Sequence, residues 1–129
     1  MSQHHAVIID DRPDNASILA ELLEVEGIGQ TSVYNPLKLE ATLQKLNHVD
    51  VFFLDLEMPG MDGYAVYDLL KTYPRFARVP VVAYTVHTSE INTAYQMGFH
   101  SFLGKPLDAD VFPDQLHRIL SGERVWSAS

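Results

Sequence analysis

The chain contains no cysteine, which excludes disulfides and thiolate chemistry. It is also poor in positive charge: nine Lys and Arg stand against seventeen Asp and Glu, a net charge of −8. A nucleic-acid surface needs clustered bases to neutralise phosphates, so no nucleic-acid partner is expected. The simplest role for the excess acid is solubility. Nowhere does an apolar run approach the roughly 20 residues that cross a bilayer, so no membrane partner is expected either. The basic start and long apolar core of a secretory leader are missing as well. These absences point to a soluble cytoplasmic protein. What is there is an ordinary globular balance, 47% hydrophobic and 20% charged residues over 129 positions. The expectation is a single domain, 1–129, with residues 1–4 as a leader and 123–129 as a tail. His4 and His5 fall at this polar start and read as part of it rather than as ligands.

Short apolar runs alternate with helical patterns. Ala6-Val7-Ile8-Ile9, Val51-Phe52-Phe53-Leu54 and Val81-Val82-Ala83-Tyr84 are continuous rather than alternating, which fits strands covered on both faces. Ser101-Phe102-Leu103 is a shorter run of the same kind, and the more polar Gln30–Tyr34 reads as an edge strand. Ile18, Leu19, Leu22 and Leu23 form a helical stripe behind Pro13, ended by Gly27 and Gly29. Leu39, Leu43 and Leu46 make a second stripe, and Val66, Leu69, Leu70 and Tyr73 a third that stops at Pro74. Ser89 to Met97 is a weaker fourth helix closed by Gly98. Phe112, Leu116, Ile119 and Leu120 make the fifth, with Pro113 placing its start near Asp110. Five strand–helix repeats imply an α/β fold: a five-stranded parallel sheet with helices on both faces. In the flavodoxin-like order 2-1-3-4-5, a three-layer (βα)5 sandwich, the site lies beyond the carboxyl ends of the strands.

The polar residues that follow the apolar runs then meet at one edge. Strand one runs into Asp10-Asp11, strand three into Asp55 with Glu57 two residues on, strand four into Thr85, and strand five into Lys105-Pro106. Singly, each has an ordinary explanation: an aspartate or threonine as a turn or helix cap, a lysine as solvated surface. Together they need another. Two like charges about 4 Å apart repel by roughly 4 kcal/mol at an effective dielectric near 20, so three carboxylates require positive charge among them. Lys105 supplies one charge, and a divalent cation that prefers oxygen, magnesium above all, supplies the rest. A metal-bound aspartate beside a lysine and a hydroxyl is equipped for phosphoryl transfer, with Asp55 attacking phosphorus.

The segment Phe53-Leu-Asp-Leu-Glu-Met-Pro-Gly-Met-Asp-Gly63 resembles the phosphorylation loop of bacterial two-component response-regulator receiver domains, the CheY-like superfamily. Ile9-Asp-Asp11 resembles their acidic pair, Ala83-Tyr-Thr85 their hydroxyl strand end, and Phe102-Leu-Gly-Lys-Pro106 their lysine–proline signature. The resemblance covers nearly the whole chain. It implies Asp55 as phosphoacceptor, with magnesium (manganese substituting) held by Asp11, Asp55 and the backbone carbonyl of Glu57, and by Asp10 largely through water. It implies that Lys105 and Thr85 contact the phosphoryl group, that Thr85 and Phe102 form a switch, and that the Lys105–Pro106 bond is cis. Plain core packing is the alternative for Phe102. The implied donor is a sensor histidine kinase or phosphotransfer protein. The implied output is protein contact through the helix 4–strand 5–helix 5 face, not enzymic turnover beyond self-phosphorylation and slow autodephosphorylation.

Three positions vary the pattern. Val86 stands where the family usually has a small residue, and could narrow access to Asp55. Glu57 and His87 flank the mouth of the site; either they pair over it and restrict attacking water, or both are solvated loop residues. Two rival functions are an aspartate-nucleophile phosphohydrolase using Asp55 and Glu57, and a degenerate receiver that only docks. The first lacks a first-strand nucleophile and a cap; the intact Asp10, Asp11, Asp55, Thr85 and Lys105 set argues against the second.

Overall fold

The computed structural model of the chain describes residues 4–128. Strand and helix alternate: β1 (His5–Ile9), α1 (Pro13–Val25), β2 (Gly29–Val33), α2 (Leu39–Gln44), β3 (Val51–Leu54), α3 (Gly63–Lys71), β4 (Val81–Thr85), α4 (Ile91–Met97), β5 (Ser101–Gly104), α5 (Phe112–Leu120) and β6 (Trp126–Ser127). A small antiparallel hairpin, Glu57–Met58 with Met61–Asp62, stands apart between β3 and α3. Every pairing in the main sheet is parallel, in the order β2-β1-β3-β4-β5-β6.

The sheet therefore has six strands, not the five expected, although the first five keep the expected order. The sixth comes from the segment read as a tail. Val125 is only 5% exposed, its amide donates to Ser101 Oγ at 2.9 Å, and its carbonyl accepts from the Phe102 amide at 2.8 Å. A two-residue strand is too short to leave a periodic signature. At the other end, His5 is the first residue of β1 rather than part of a leader. Its amide donates to Asp50 Oδ2 at 2.7 Å, and its Nε2 lies 2.7 Å from Thr31 Oγ1 on β2. Residues 1–3 lie outside the described residues.

The continuous apolar runs do what a doubly covered sheet demands. Val7, Ile9, Phe52, Leu54, Val81, Ala83 and Phe102 face one core with Leu39 and Leu43 of α2, Val66 and Leu70 of α3, and Ala94 of α4. Their neighbours Ala6, Ile8, Val51, Phe53, Val82, Tyr84 and Leu103 face the other, with Leu19 and Leu23 of α1 and Leu116 and Ile119 of α5. On α1 the buried positions are Ala16, Leu19 and Leu23, while Ile18 is 55% exposed, so the stripe is rotated from the one expected. Helix α5 begins at Phe112 with Pro113 in its first turn, where the missing amide removes no helical bond. Gly98, at φ 102°, ends α4 in the left-handed conformation that glycine adopts without strain.

Aromatic rings anchor the sheet beneath its carboxyl edge. Phe53, fully buried, meets Tyr84 edge-on at 6.3 Å and Phe112 at 6.2 Å. Such pairs add about 0.5–1.5 kcal/mol beyond the area they bury, and here they tie β3 to β4 and α5.

The His5 imidazole links the β1–β2 edge to acid stability. Burial, then the neighbouring His48, pushes its pKa below 6.5, with Asp50 opposing. The folded chain thus resists protonating His5 more than the unfolded chain does. The stabilisation is complete above pH 6.5 and drains away as pH falls from there through the lowered folded value. Asp55, raised to about 6, acts in the opposite sense over the same range, so the expectation is a difference: between pH 7 and pH 5 wild type should lose stability in urea unfolding relative to His5→Gln, and a difference that does not change with pH refutes this origin.

Candidate functional site

Parallel register delivers the acids to one place. Ile9 pairs with Leu54, so Asp10 and Asp55 leave adjacent strands at the same level. The Asp55 amide donates to the Ile9 carbonyl at 3.0 Å and the Asp10 amide to the Val33 carbonyl at 3.1 Å, which locks both exits. On the other side Thr85 pairs with Gly104, and the Lys105 amide donates to the Thr85 carbonyl at 2.9 Å. The Lys105–Pro106 bond is cis, as the resemblance implies.

The result is a buried charge cluster. Asp10 is fully buried and Asp55 is 4% exposed. One carboxylate oxygen from each of Asp10, Asp11 and Asp55 can be chosen so that all lie within 4.8 Å of one another. Lys105 Nζ reaches Asp10 Oδ2 at 3.1 Å and Asp55 Oδ2 at 3.5 Å. Burial pushes the Asp55 carboxyl up to about 6; the Glu57 amide and then Lys105 pull it back, while Asp10 raises it further.

The three acids are not equivalent. Asp10 is saturated: Oδ1 accepts from the Arg12 amide at 2.9 Å, and Oδ2 accepts from Tyr84 Oη at 2.7 Å as well as from Lys105. Asp55 Oδ1 accepts from the Glu57 amide at 3.0 Å. Asp11 Oδ1 is buried without any hydrogen-bond partner. A buried carboxylate oxygen left unpaired costs several kcal/mol unless something positive meets it. An orphan oxygen beside a second carboxylate is what a divalent cation would use, so the donor set fits a hard, oxygen-ligated metal. Receiver domains bind magnesium at such an acidic cluster.

The hairpin after β3 closes one wall of a cleft of about 800 Å³ that also involves Asp11 and Arg12. Gly63 makes its return possible: a Cβ there would lie 2.8 Å from Leu56 Cα and 2.9 Å from the Asp55 carbonyl. From that hairpin, Glu57 reaches across to His87 in the loop after β4, and the two meet through Oε2 and Nε2, both about half exposed. The two side chains thus touch, as one of the alternatives weighed from the sequence has it, while both stay open to solvent. Val86, beside them, is 59% exposed.

Thr85 is fully buried, and its Oγ1 accepts from the His87 amide at 3.2 Å. Phe102 is fully enclosed in the core with α2, α3 and α4, the placement that plain packing gives. Sequence reasoning missed Tyr84, taken as one more apolar strand residue. Its ring lies in the core, 4.2 Å beneath Lys105 Nζ, and its hydroxyl holds Asp10. Burial and then Asp10 raise the phenol far above its ordinary pKa, so it stays a donor. A tyrosine ending a buried run needs a polar partner for its hydroxyl, and that was the available signal.

The chain matches the response regulator receiver domain over residues 6–117. It is similar to Protein RcaC of Microchaete diplosiphon, 29% identical over 123 residues; the match covers 94% of this chain and 19% of RcaC, so the chain spans about a fifth of that relative. An uncharacterized 14.6 kDa protein of Leptolyngbya boryana is 31% identical over 114 residues, 84% of this chain and 83% of the relative. Among solved structures, the signal receiver domain of a signal transduction histidine kinase from Syntrophus aciditrophicus superposes with a TM-score of 0.78 at 30% identity, covering 92% and 91% of the two chains. The chemotaxis response regulator CheY4 of Vibrio cholerae shares the fold, with a TM-score of 0.81 at 20% identity over 92% of this chain and 99% of that one. Nothing in these likenesses supports the phosphohydrolase alternative. Sheet, site and sequence agree: the chain belongs to the response regulator receiver domains, the phosphoacceptor switches of two-component signalling.

Proposed function

We propose that Asp55 is the phosphoacceptor, fed by a sensor histidine kinase or phosphotransfer protein in the cytoplasm. The observation that carries this is the convergence of the Asp10, Asp11 and Asp55 oxygens within 4.8 Å, with Lys105 bridging Asp10 and Asp55. Asp55 attacks phosphorus to form an acyl phosphate while the bond from phosphorus to the donor's imidazole breaks. A small phosphodonor serves in the same way. Magnesium, or manganese in its place, would be held by Asp11, Asp55 and the Glu57 backbone carbonyl, with Asp10 acting through water. Bound there, the cation supplies positive charge against the phosphoryl oxygens.

The chain's own groups do the rest. Tyr84 and the Arg12 amide hold Asp10 aimed at Lys105, which keeps the lysine at the site. Lys105 shifts from Asp55 toward the incoming phosphoryl oxygens, and Thr85 donates its hydroxyl to one of them. That draws the loop after β4 inward. The shift passes along the β4–β5 rungs to Phe102 and to the α4–β5–α5 face, where a partner protein reads it. Glu57 and His87 screen the acyl phosphate from water and so set its lifetime, with Val86 narrowing the entrance.

Three outcomes follow. With magnesium and a small phosphodonor, wild type should gain the mass of one phosphoryl group and Asp55→Asn none; labelling of the variant, or repeated turnover of the donor, contradicts the assignment. Tyr84→Phe leaves Asp10 short of a buried donor, so unfolding should cost about 1–3 kcal/mol less than in wild type; a change below a few tenths would mean the hydroxyl is not needed. Glu57→Asn and His87→Ala should each shorten the phosphoryl lifetime. Their double variant should depart from additivity by ~0.5 kcal/mol or more, about twofold in rate. Strict additivity would remove the screening role of the pair.

A further inference from the structure

We propose that the β5 edge, between α4 and α5, is a strand-accepting surface that the chain's own β6 occupies in cis, and that phosphorylation frees it for an extended segment of a partner. The second half rests on Asp55 being the phosphoacceptor.

The edge is built to hold a strand. Phe102 pairs with Trp126 and Leu103 with Ser127 in parallel register, and the Phe102 amide donates to the Val125 carbonyl at 2.8 Å. Covering the edge in this way removes a row of open backbone groups from solvent. Trp126 lies 5.1 Å from the Tyr95 ring of α4 in an edge-on contact, although Tyr95 itself is 63% exposed. Gly104 leaves room for the strand's far end: a Cβ there would sit 3.0 Å from the Ala128 carbonyl oxygen.

The paired stretch is short, anchored at one end by buried Val125, and is wired to the site. Two paired residues lie at the short limit for a strand, the kind of element that opens at low free energy. The rungs that hold β6 are the rungs that end at the phosphoryl-binding groups: Phe102 and Leu103 lead to Lys105, and Gly104 pairs with Thr85. The same missing Cβ of Gly104 would lie 2.9 Å from Thr88 Cγ2, in the loop that follows Thr85. Thr88 and Ala128 thus share one small space. A loop drawn toward Asp55 changes that space and the register of Phe102, and both act on the strand.

The displaced strand defines its replacement. The partner segment is extended, has free backbone amides, carries an aromatic ring to meet Tyr95, and has a small residue opposite Gly104. The cis strand competes at an effective concentration of roughly millimolar order, so the partner binds only when that strand is loosened.

Trp126 is the chain's single tryptophan and serves as the reporter. The full chain is treated with magnesium and a small phosphodonor, and intact mass establishes the phosphorylated fraction. Trp126 emission is read on the same sample. Binding of a labelled peptide of residues 123–129 is measured on both forms, and on unphosphorylated Trp126→Ala and Tyr95→Ala. Both changes lie at the half-open edge; the phosphorylated wild type guards against the first failing to fold, and the second tests whether the peptide uses the Tyr95 ring. The expected result is a red shift of Trp126 emission on phosphorylation, with about tenfold tighter peptide binding to the phosphorylated chain and to Trp126→Ala, and no such gain in Tyr95→Ala, which takes the same ring contact from the peptide as from the cis strand. A phosphorylated chain with unchanged emission and peptide affinity overturns the coupling while the phosphoacceptor reading stands. A peptide that binds no form overturns the strand-accepting surface. Absence of any added mass overturns the Asp55 reading and, with it, the coupling of the strand to phosphorylation.

Discussion

Three carboxylates leaving neighbouring parallel strands cannot share one sheet edge unless positive charge stands among them. That electrostatic constraint organises the rest of the molecule. Register alone places Asp10 and Asp55 side by side, because Ile9 and Leu54 are paired. Lys105 answers part of the charge through contacts to both. The orphan oxygen of Asp11 marks what the lysine leaves unanswered.

Much of the surrounding structure serves to keep that cluster in place. The Phe53, Tyr84 and Phe112 rings fill one core beneath the edge. Tyr84 belongs to both worlds, its ring packed and its hydroxyl on Asp10, with Lys105 over the ring face. A buried ion pair is a weak source of stability in itself, because desolvation offsets the attraction. Its value here is positional: Asp10, held by three donors, keeps the lysine beside Asp55. The Gly63 close approach and the Glu57–His87 contact shape the loops beside Asp55.

The layered fold and the site were legible because both depend on strong, repeated signals. Continuous apolar runs announce strands covered on two faces, and the polar residue after each run announces the shared edge. Pro113 placed the start of α5 to within two residues of the observed Phe112. The Glu57–His87 pairing was legible as one of two options because topology brings both residues to the mouth. The misses have physical causes. Tyr84 hid in an apolar run because a phenol counts as hydrophobic until its hydroxyl is asked for a partner. Strand β6 is held by two residues and a buried Val125, too little for periodicity to register. His5 looked like a polar leader, yet it is satisfied by Asp50 and Thr31, neither of them near it in sequence. Ile18 was counted as core from spacing alone, whereas the burial of small Ala16 turned α1 the other way.

The sixth strand changes how the switch is pictured. Phe102 is enclosed and its backbone is tied to Val125, so under the proposed function a signal would have a main-chain route as well as a ring to turn. The whole account still returns to the shared cation. A crystal structure with manganese, read by its anomalous signal, tests it most directly. The account predicts one strong peak between Asp11 Oδ1 and the Asp55 carboxylate, within reach of the Glu57 carbonyl, and its loss in Asp11→Asn. A peak elsewhere, or none at saturating manganese, would contradict it.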